Sequence, residues 1–68
     1  MIALTRLNGQ PVMLNCDLIE AVEENATPHQ RESVVTLTTG NVIVVRESIE
    51  EIERKVVAFK RKLHHGGG

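Results

Sequence analysis

The chain has 68 residues and a mass of 7.5 kDa, which is enough for one small domain. Its apolar fraction is 41% and Phe59 is its one aromatic residue, so any core must be built from aliphatic side chains. Eight basic and nine acidic residues give a formal net charge of −1, which argues against a protein that binds nucleic acid by electrostatics alone.

Three sequence features narrow the class of protein further. The longest apolar runs contain four residues, too few to cross a bilayer. The lone cysteine, Cys16, excludes an intrachain disulfide and a cysteine-based zinc site. Met1 leads directly into an alternating segment without the basic and apolar regions of a signal peptide. We therefore expect a cytoplasmic protein.

The first 14 residues predict a β-hairpin. Residues 2–7 alternate between two faces, Asn8-Gly9 follows, and the chain returns over residues 11–14. Asn and Gly tolerate a positive φ, so this pair predicts a two-residue type I′ turn. Pro11 has no N–H to donate, which places it at the start of a strand or at a sheet edge.

The middle of the chain predicts a turn, a strand and a second hairpin. Residues 15–18 contain turn formers. Residues 18–24 fit either one helical face or an alternating strand, and because seven residues are short for an isolated helix we expect a strand at residues 19–24. Residues 25–32 form a polar loop without hydrophobic periodicity. Residues 33–38 and 42–46 are rich in β-branched side chains, and Thr39-Gly40-Asn41 joins them. Val34, Val35 and residues 42–45 are apolar on both faces, which predicts strands covered on both sides.

The end of the chain predicts an amphipathic helix from Ser48 to about Leu63. Ser48 and Glu51 have the spacing of a capping box. One apolar stripe recurs at spacings of three and four, at Ile49, Ile52, Val56, Phe59 and Leu63. We expect Ile52, Val56 and Phe59 to pack on the sheet of the same chain or on a partner subunit.

Together these segments predict an α+β fold. It consists of a small antiparallel β-meander or barrel-like sheet of four to five strands with one C-terminal α-helix. Residues 1–63 form a single domain, and residues 64–68 form a flexible tail. Because a core of this size is marginal without disulfides or metal, we also expect a homo-oligomer.

The carboxylates, the cysteine and the histidines give little support for an enzyme. The carboxylates fall mostly at helix-cap or solvated positions, and so short a chain has little room to enclose a catalytic pocket. Cys16 has no histidine near it in sequence to act as a base. His64 and His65 are adjacent and do not share a helical face. We expect no catalytic residue, no cofactor and no metal.

Basic residues are concentrated in the second half of the helix. Five of the eight lie there: Arg54, Lys55, Lys60, Arg61 and Lys62. They complement the negative end of the helix dipole and aid solubility, which is the simpler interpretation. The functional interpretation is a contact patch for an acidic protein surface, RNA or anionic lipid. Because no aromatic residues lie among these basic residues to stack on bases, the hypothesis of an RNA contact is the weaker one.

Two motifs resemble a known family. The first is Leu4-Thr5-Arg6-Leu7-Asn8-Gly9 and the second is Val44-Val45-Arg46-Glu47-Ser48, which opens the helix. With the segments around them, they resemble the FlbD family of small flagellar proteins, also called SwrD, over residues 1 to about 62. The loop at residues 25–32 looks longer than is usual in that family.

The resemblance implies a non-enzymatic cytoplasmic accessory of bacterial flagellar motility, located at the flagellar base. Such a protein would support flagellar motor function or swarming through contacts with a motor or basal-body protein. On physical grounds the candidate partner-binding residues are Arg6, Arg46 and the basic residues of the helix. Asn8 is better explained by its turn than by a partner. Contact of the basic helix end with a membrane surface is a further hypothesis.

A second resemblance supplies the alternative. Leu4-Thr5-Arg6 and Val45-Arg46-Glu47 are similar to segments of the carbon-storage regulator family, whose members are RNA-binding dimers that act after transcription. That family carries a glycine- and alanine-proline-containing stretch before its last strand, where this chain has Thr39-Gly40-Asn41. This departure and the net negative charge argue against a nucleic-acid partner.

Overall fold

A computed structural model describes the backbone of residues 1–66 and the side chains of residues 1–61. Five strands and one helix follow each other along the chain. They are β1 (Ile2–Thr5), β2 (Pro11–Leu14), β3 (Ile19–Ala26), β4 (Arg31–Leu37), β5 (Val42–Val45) and α1 (Ile49–Gly66). A short 3-10 turn, Cys16–Leu18, leads into β3 and is capped by the Asn15 side chain. The predicted α+β fold with a C-terminal helix is confirmed.

The strands form two antiparallel sheets that meet at one bridge. β1 pairs with β2 in register from Ile2 opposite Leu14 to Thr5 opposite Pro11. β3, β4 and β5 form a meander in that order. Arg6 pairs with Val45 beyond the end of β1, and the Arg46 N–H donates to the Thr5 carbonyl at 2.8 Å. The five strands therefore associate without closing into a barrel.

The core is aliphatic, as the composition requires. Leu4, Val35 and Val45 are its most deeply buried side chains, and Cys16 lies within the same cluster. The remaining buried members come from both sheets and the helix: Ile2, Leu14, Leu37 and Ile52. Buried in this cluster, Cys16 acts as a small apolar filler.

The two hairpin loops share one geometry, which differs from the predicted type I′ turn. The Arg6 carbonyl accepts from the Gly9 N–H at 2.9 Å, and the Arg6 N–H donates to the Gln10 carbonyl at 2.8 Å. Leu37, Gly40 and Asn41 repeat this pattern. Among the described residues, only Gly9 and Gly40 have a positive φ. These features are typical of three-residue loops with a glycine bulge, so the type I′ prediction is wrong.

The connection between β3 and β4 is shorter than predicted. Asn25 pairs with Glu32 and Ala26 pairs with Arg31, so the strands extend into the expected loop of residues 25–32. The turn is held by Thr27, whose N–H and hydroxyl both donate to the Gln30 carbonyl. Ladder pairing here outweighs the low strand propensity of Asn and Ala.

The apolar strands of the meander are covered on one face only. Val35 and Val45 point into the core and are completely buried. Val34 and Val44, paired with each other on the opposite face, are half-buried, and Val42 is 58% exposed. The prediction of coverage on both sides does not hold within one chain.

The helix packs on the chain's own sheets through its first half. Ile52 is buried, and Val56 and Phe59 are half-buried against the core. α1 contacts β1 and β3 and continues to Gly66, beyond the predicted end at about Leu63. Gly67 and Gly68, the end of the predicted flexible tail, lie outside the described residues. The division into a domain at 1–63 and a tail remains a prediction.

Candidate interaction surface

The loop of the first hairpin presents Arg6 to solvent. Arg6 is exposed at the end of β1, where its backbone closes the loop with Gln10. Asn8 accepts from the Gln10 N–H through its side-chain oxygen at 3.0 Å, which stabilises the turn. A Cβ added at Gly9 would lie 3.8 Å from the Arg46 guanidinium. The structure thus supports the turn role that the sequence assigned to Asn8.

Arg46 joins this loop to the last strand. Its backbone N–H donates to Thr5, and its guanidinium Nη2 donates to the Leu7 carbonyl at 3.0 Å. The side chain remains exposed, so it also faces solvent. Since Arg6 pairs with Val45, the structure brings the two candidate arginines to the same edge of the molecule.

Glu47 is the polar centre of the junction between strands and helix. Its carboxylate accepts from the Thr5 N–H at 2.9 Å, and its carbonyl accepts from the Ser33 hydroxyl at 2.6 Å. Partial burial raises the pKa of Glu47, but hydrogen bonds from Thr5 and attraction to Lys55 outweigh it. The pKa therefore lies below its ordinary value.

The N-terminus of α1 is capped by residues of the helix itself and by a residue of a neighbouring strand. The Ser48 hydroxyl accepts a hydrogen bond from the Glu51 N–H at 3.1 Å, and the Glu51 carboxylate accepts one from the Ser48 N–H at 3.5 Å. This confirms the capping box. In addition, the Glu24 carboxylate of β3 accepts from the Ile49 N–H at 3.2 Å and lies 3.7 Å from Arg31. No local sequence pattern connects Glu24 to Ile49, so this second cap was not predicted.

The basic residues of α1 form the second group of candidates. Arg54, Lys55, Lys60 and Arg61 are all exposed. Arg54 and Arg61 are seven positions apart and so share one stripe of the helix. The side chain of Lys62, the fifth candidate, lies outside the described residues. The proposed partner-binding residues thus divide into two groups, and their role remains a prediction.

An apolar groove runs between β3 and α1, beside the buried stripe of the helix. Its volume is about 250 Å³, and it is lined by Ile19, Val22, Ile49, Ile52, Glu53, Val56 and Val57. Val57 is 44% exposed on its rim. This groove was not predicted, although the sequence holds one signal for it: Val57 is a large apolar residue outside the predicted core stripe.

Across the described part of the chain, no three His, Cys, Asp or Glu side chains are grouped as metal ligands would be. No helical segment among the described residues combines the length and apolarity that crossing a bilayer requires.

Comparison with known protein families gives one match over nearly the whole chain. Residues 1–64 match FlbD, described as flagellar and swarming motility proteins. The match includes both motifs that meet at the junction, namely the first hairpin and the segment that opens α1. Searches of curated proteins and of solved structures gave no match. The chain belongs to the FlbD family of flagellar and swarming motility proteins.

Proposed function

We propose that this flagellar and swarming motility protein is a non-enzymatic accessory that acts through protein–protein contacts. It works in the cytoplasm at the flagellar base and binds an acidic surface of a motor or basal-body protein. The family match supports the motility role. The observation that supports the mode of action is the exposed stripe of Arg54 and Arg61 on α1.

One group of candidate residues has a structural role in the fold, and the other has none that accounts for it. The Arg46 guanidinium is hydrogen-bonded to the Leu7 carbonyl, so a structural role accounts for it. Arg54 and Arg61 lie on an exposed helix face, where cations attract an acidic partner at long range. We therefore assign the contact with the motor protein to the helix stripe.

A crosslinked pull-down from motile cells tests the proposal, with proteins and RNA both measured. We expect motor or basal-body proteins to be enriched with or without ribonuclease treatment. Enrichment of specific messages without a motor protein would instead support the RNA-binding alternative and overturn the proposal. Binding to anionic vesicles without a protein partner would favour the membrane hypothesis and also overturn it.

Charge reversal locates the contact. Arg61→Glu should reduce both swarming and partner recovery, because it places a carboxylate against an acidic surface. Arg6→Glu is the matched control, since it makes the same change in net charge at an exposed residue at the end of β1, in the other group of candidates. Equal loss of swarming in both variants, or no loss in either, would contradict the assignment to the helix stripe.

A further inference from the structure

The side of α1 that borders the groove carries a short symmetric pattern. Glu53, Val56, Val57 and Lys60 follow each other at spacings that place them on one side of a helix. Glu53 precedes Val56 by three residues, and Lys60 follows Val57 by three residues. Both charged residues are exposed, and the valines between them are half-buried or exposed.

This pattern is self-complementary in one orientation only. A two-fold axis between Val56 and Val57 would place Glu53 of each copy opposite Lys60 of the other. A parallel arrangement would instead oppose glutamate to glutamate and lysine to lysine, which is destabilising. The charges therefore fit a second copy of this chain, packed antiparallel along the helix.

The valines between the two charges are the apolar part of this face. Val57 is 44% exposed and borders the groove, whose lining is mostly aliphatic. Covering this face with a second copy would remove that apolar surface from water.

We propose that the chain forms a two-fold dimer through this side of α1. The helices lie antiparallel, Val57 of each copy packs against Val57 of the other beside the two-fold axis, and two Glu53–Lys60 ion pairs flank the valines. The proposal goes beyond the motility role and does not depend on it. Arg54 and Arg61 stand three and four positions from Val57 and therefore border the valines, so a partner that binds this stripe would compete with the dimer.

Charge reversal with rescue tests the dimer, using the full chain and sedimentation or light scattering over a range of concentrations. The unmodified chain should be dimeric. Glu53→Lys and Lys60→Glu should each weaken the dimer about tenfold or more, because each turns both ion pairs into repulsions. The double variant Glu53→Lys/Lys60→Glu should restore the dimer, since the reversed charges again face each other.

The matched control is Lys55→Glu, which changes the net charge as Lys60→Glu does but is exposed on another side of the helix, two positions from both Glu53 and Val57. It should leave the dimer unchanged. A monomeric unmodified chain, or equal weakening by Lys55→Glu and Lys60→Glu, would overturn the proposal. So would a double variant that remains as weak as the singles while circular dichroism shows it folded.

Disulfide formation gives a second test. In a Cys16→Ala background, Val57→Cys places one thiol beside the two-fold axis in each copy, and mild oxidation should give a covalent dimer. Arg61→Cys in the same background places the thiols far from the axis and should remain uncrosslinked. Equal crosslinking of the two variants, or none at position 57, would overturn the proposal.

Discussion

Ser33 is completely buried, yet it is a polar residue in the middle of a sheet. Its hydroxyl donates to the Glu47 carbonyl at 2.6 Å, so it joins β4 to the segment that opens α1. A buried carbonyl without a donor loses its hydration without compensation. The hydroxyl therefore stabilises the exact path of the chain between the last strand and the helix.

Replacing this hydroxyl should destabilise the fold. We expect Ser33→Ala to lower the free energy of unfolding by about 1–3 kcal/mol, because it leaves the Glu47 carbonyl without its donor. Urea denaturation measures the change. Thr38→Ala, at an exposed hydroxyl, is the control and should be close to neutral. A Ser33→Ala variant as stable as that control would contradict this role.

Glu47 makes the stability depend on pH. Because its pKa is lowered in the folded chain, the carboxylate stabilises the fold above its ordinary pKa of 4.5. That contribution is lost as the pH falls from about 4.5 through the lower folded value. We expect Glu47→Gln to lose less stability than the unmodified chain over this acidic range, as measured by urea denaturation at several pH values. If the stability of the two proteins fell equally with pH over this range, the role of Glu47 would be contradicted.

The long-range bonds of these residues could not be predicted from the sequence. Thr5 and Glu47 are 42 positions apart, and Ser33 and Glu47 are 14 positions apart. Local patterns identify caps and turns, because their partners lie within a few residues. The capping box of Ser48 was therefore predictable, whereas the cap that Glu24 provides from β3 was not.

At the scale of elements, both hairpins depend on one glycine each. Gly9 has a φ of 91° and Gly40 a φ of 94°, which disfavours other residues. The sequence located both loops correctly but not the type of the first. The Asn8-Gly9 pair also suits a three-residue loop in which only the glycine needs a positive φ.

Substitution of these glycines should cost backbone strain alone. We expect Gly9→Ala and Gly40→Ala each to destabilise the fold by about 1–2 kcal/mol, because an added Cβ meets no close contact at either site. Thermal denaturation measures both. Gly9→Asn should cost less than Gly9→Ala, since Asn tolerates a positive φ better. An equal cost for Asn and Ala would show that strain is not the cause.

The residues of α1 contribute unequally to the stability of the fold. Ile52 is buried, so Ile52→Ala should cost about 2–5 kcal/mol. Phe59 is only half-buried, so Phe59→Ala should cost less than the 3–5 kcal/mol typical of a core ring. Chemical denaturation measures the free energy of unfolding of both variants. A larger loss of stability in Phe59→Ala than in Ile52→Ala would show that the Phe59 ring is covered by more than the described contacts.

At the scale of the whole molecule, the two family motifs meet in space although they are far apart in the chain. The Arg46 guanidinium bonds the Leu7 carbonyl across 39 positions and ties the first hairpin to the last strand. The sequence predicted the elements on either side of this contact. It did not predict that the two motifs support each other, because antiparallel bridging of Arg6 and Val45 has no local signal.

This tie should make Arg46 important for stability. We expect Arg46→Ala to lower the free energy of unfolding by about 0.5–1.5 kcal/mol through loss of the Leu7 bond, while Arg6→Ala remains near neutral. Thermal unfolding of both variants tests this. Equal stability of the two variants would favour a role for Arg46 in binding rather than in the fold.

The separation of Thr5 and Glu47 has a consequence for the kinetics of folding. β1 pairs with β2 in a local hairpin, but its bond to Glu47 joins residues that are 42 positions apart. Closing so long a loop costs entropy that a local contact does not, and it slows folding relative to a chain with local contacts only. We therefore expect docking of the first hairpin on the segment that opens α1 to be a late and slow step of folding.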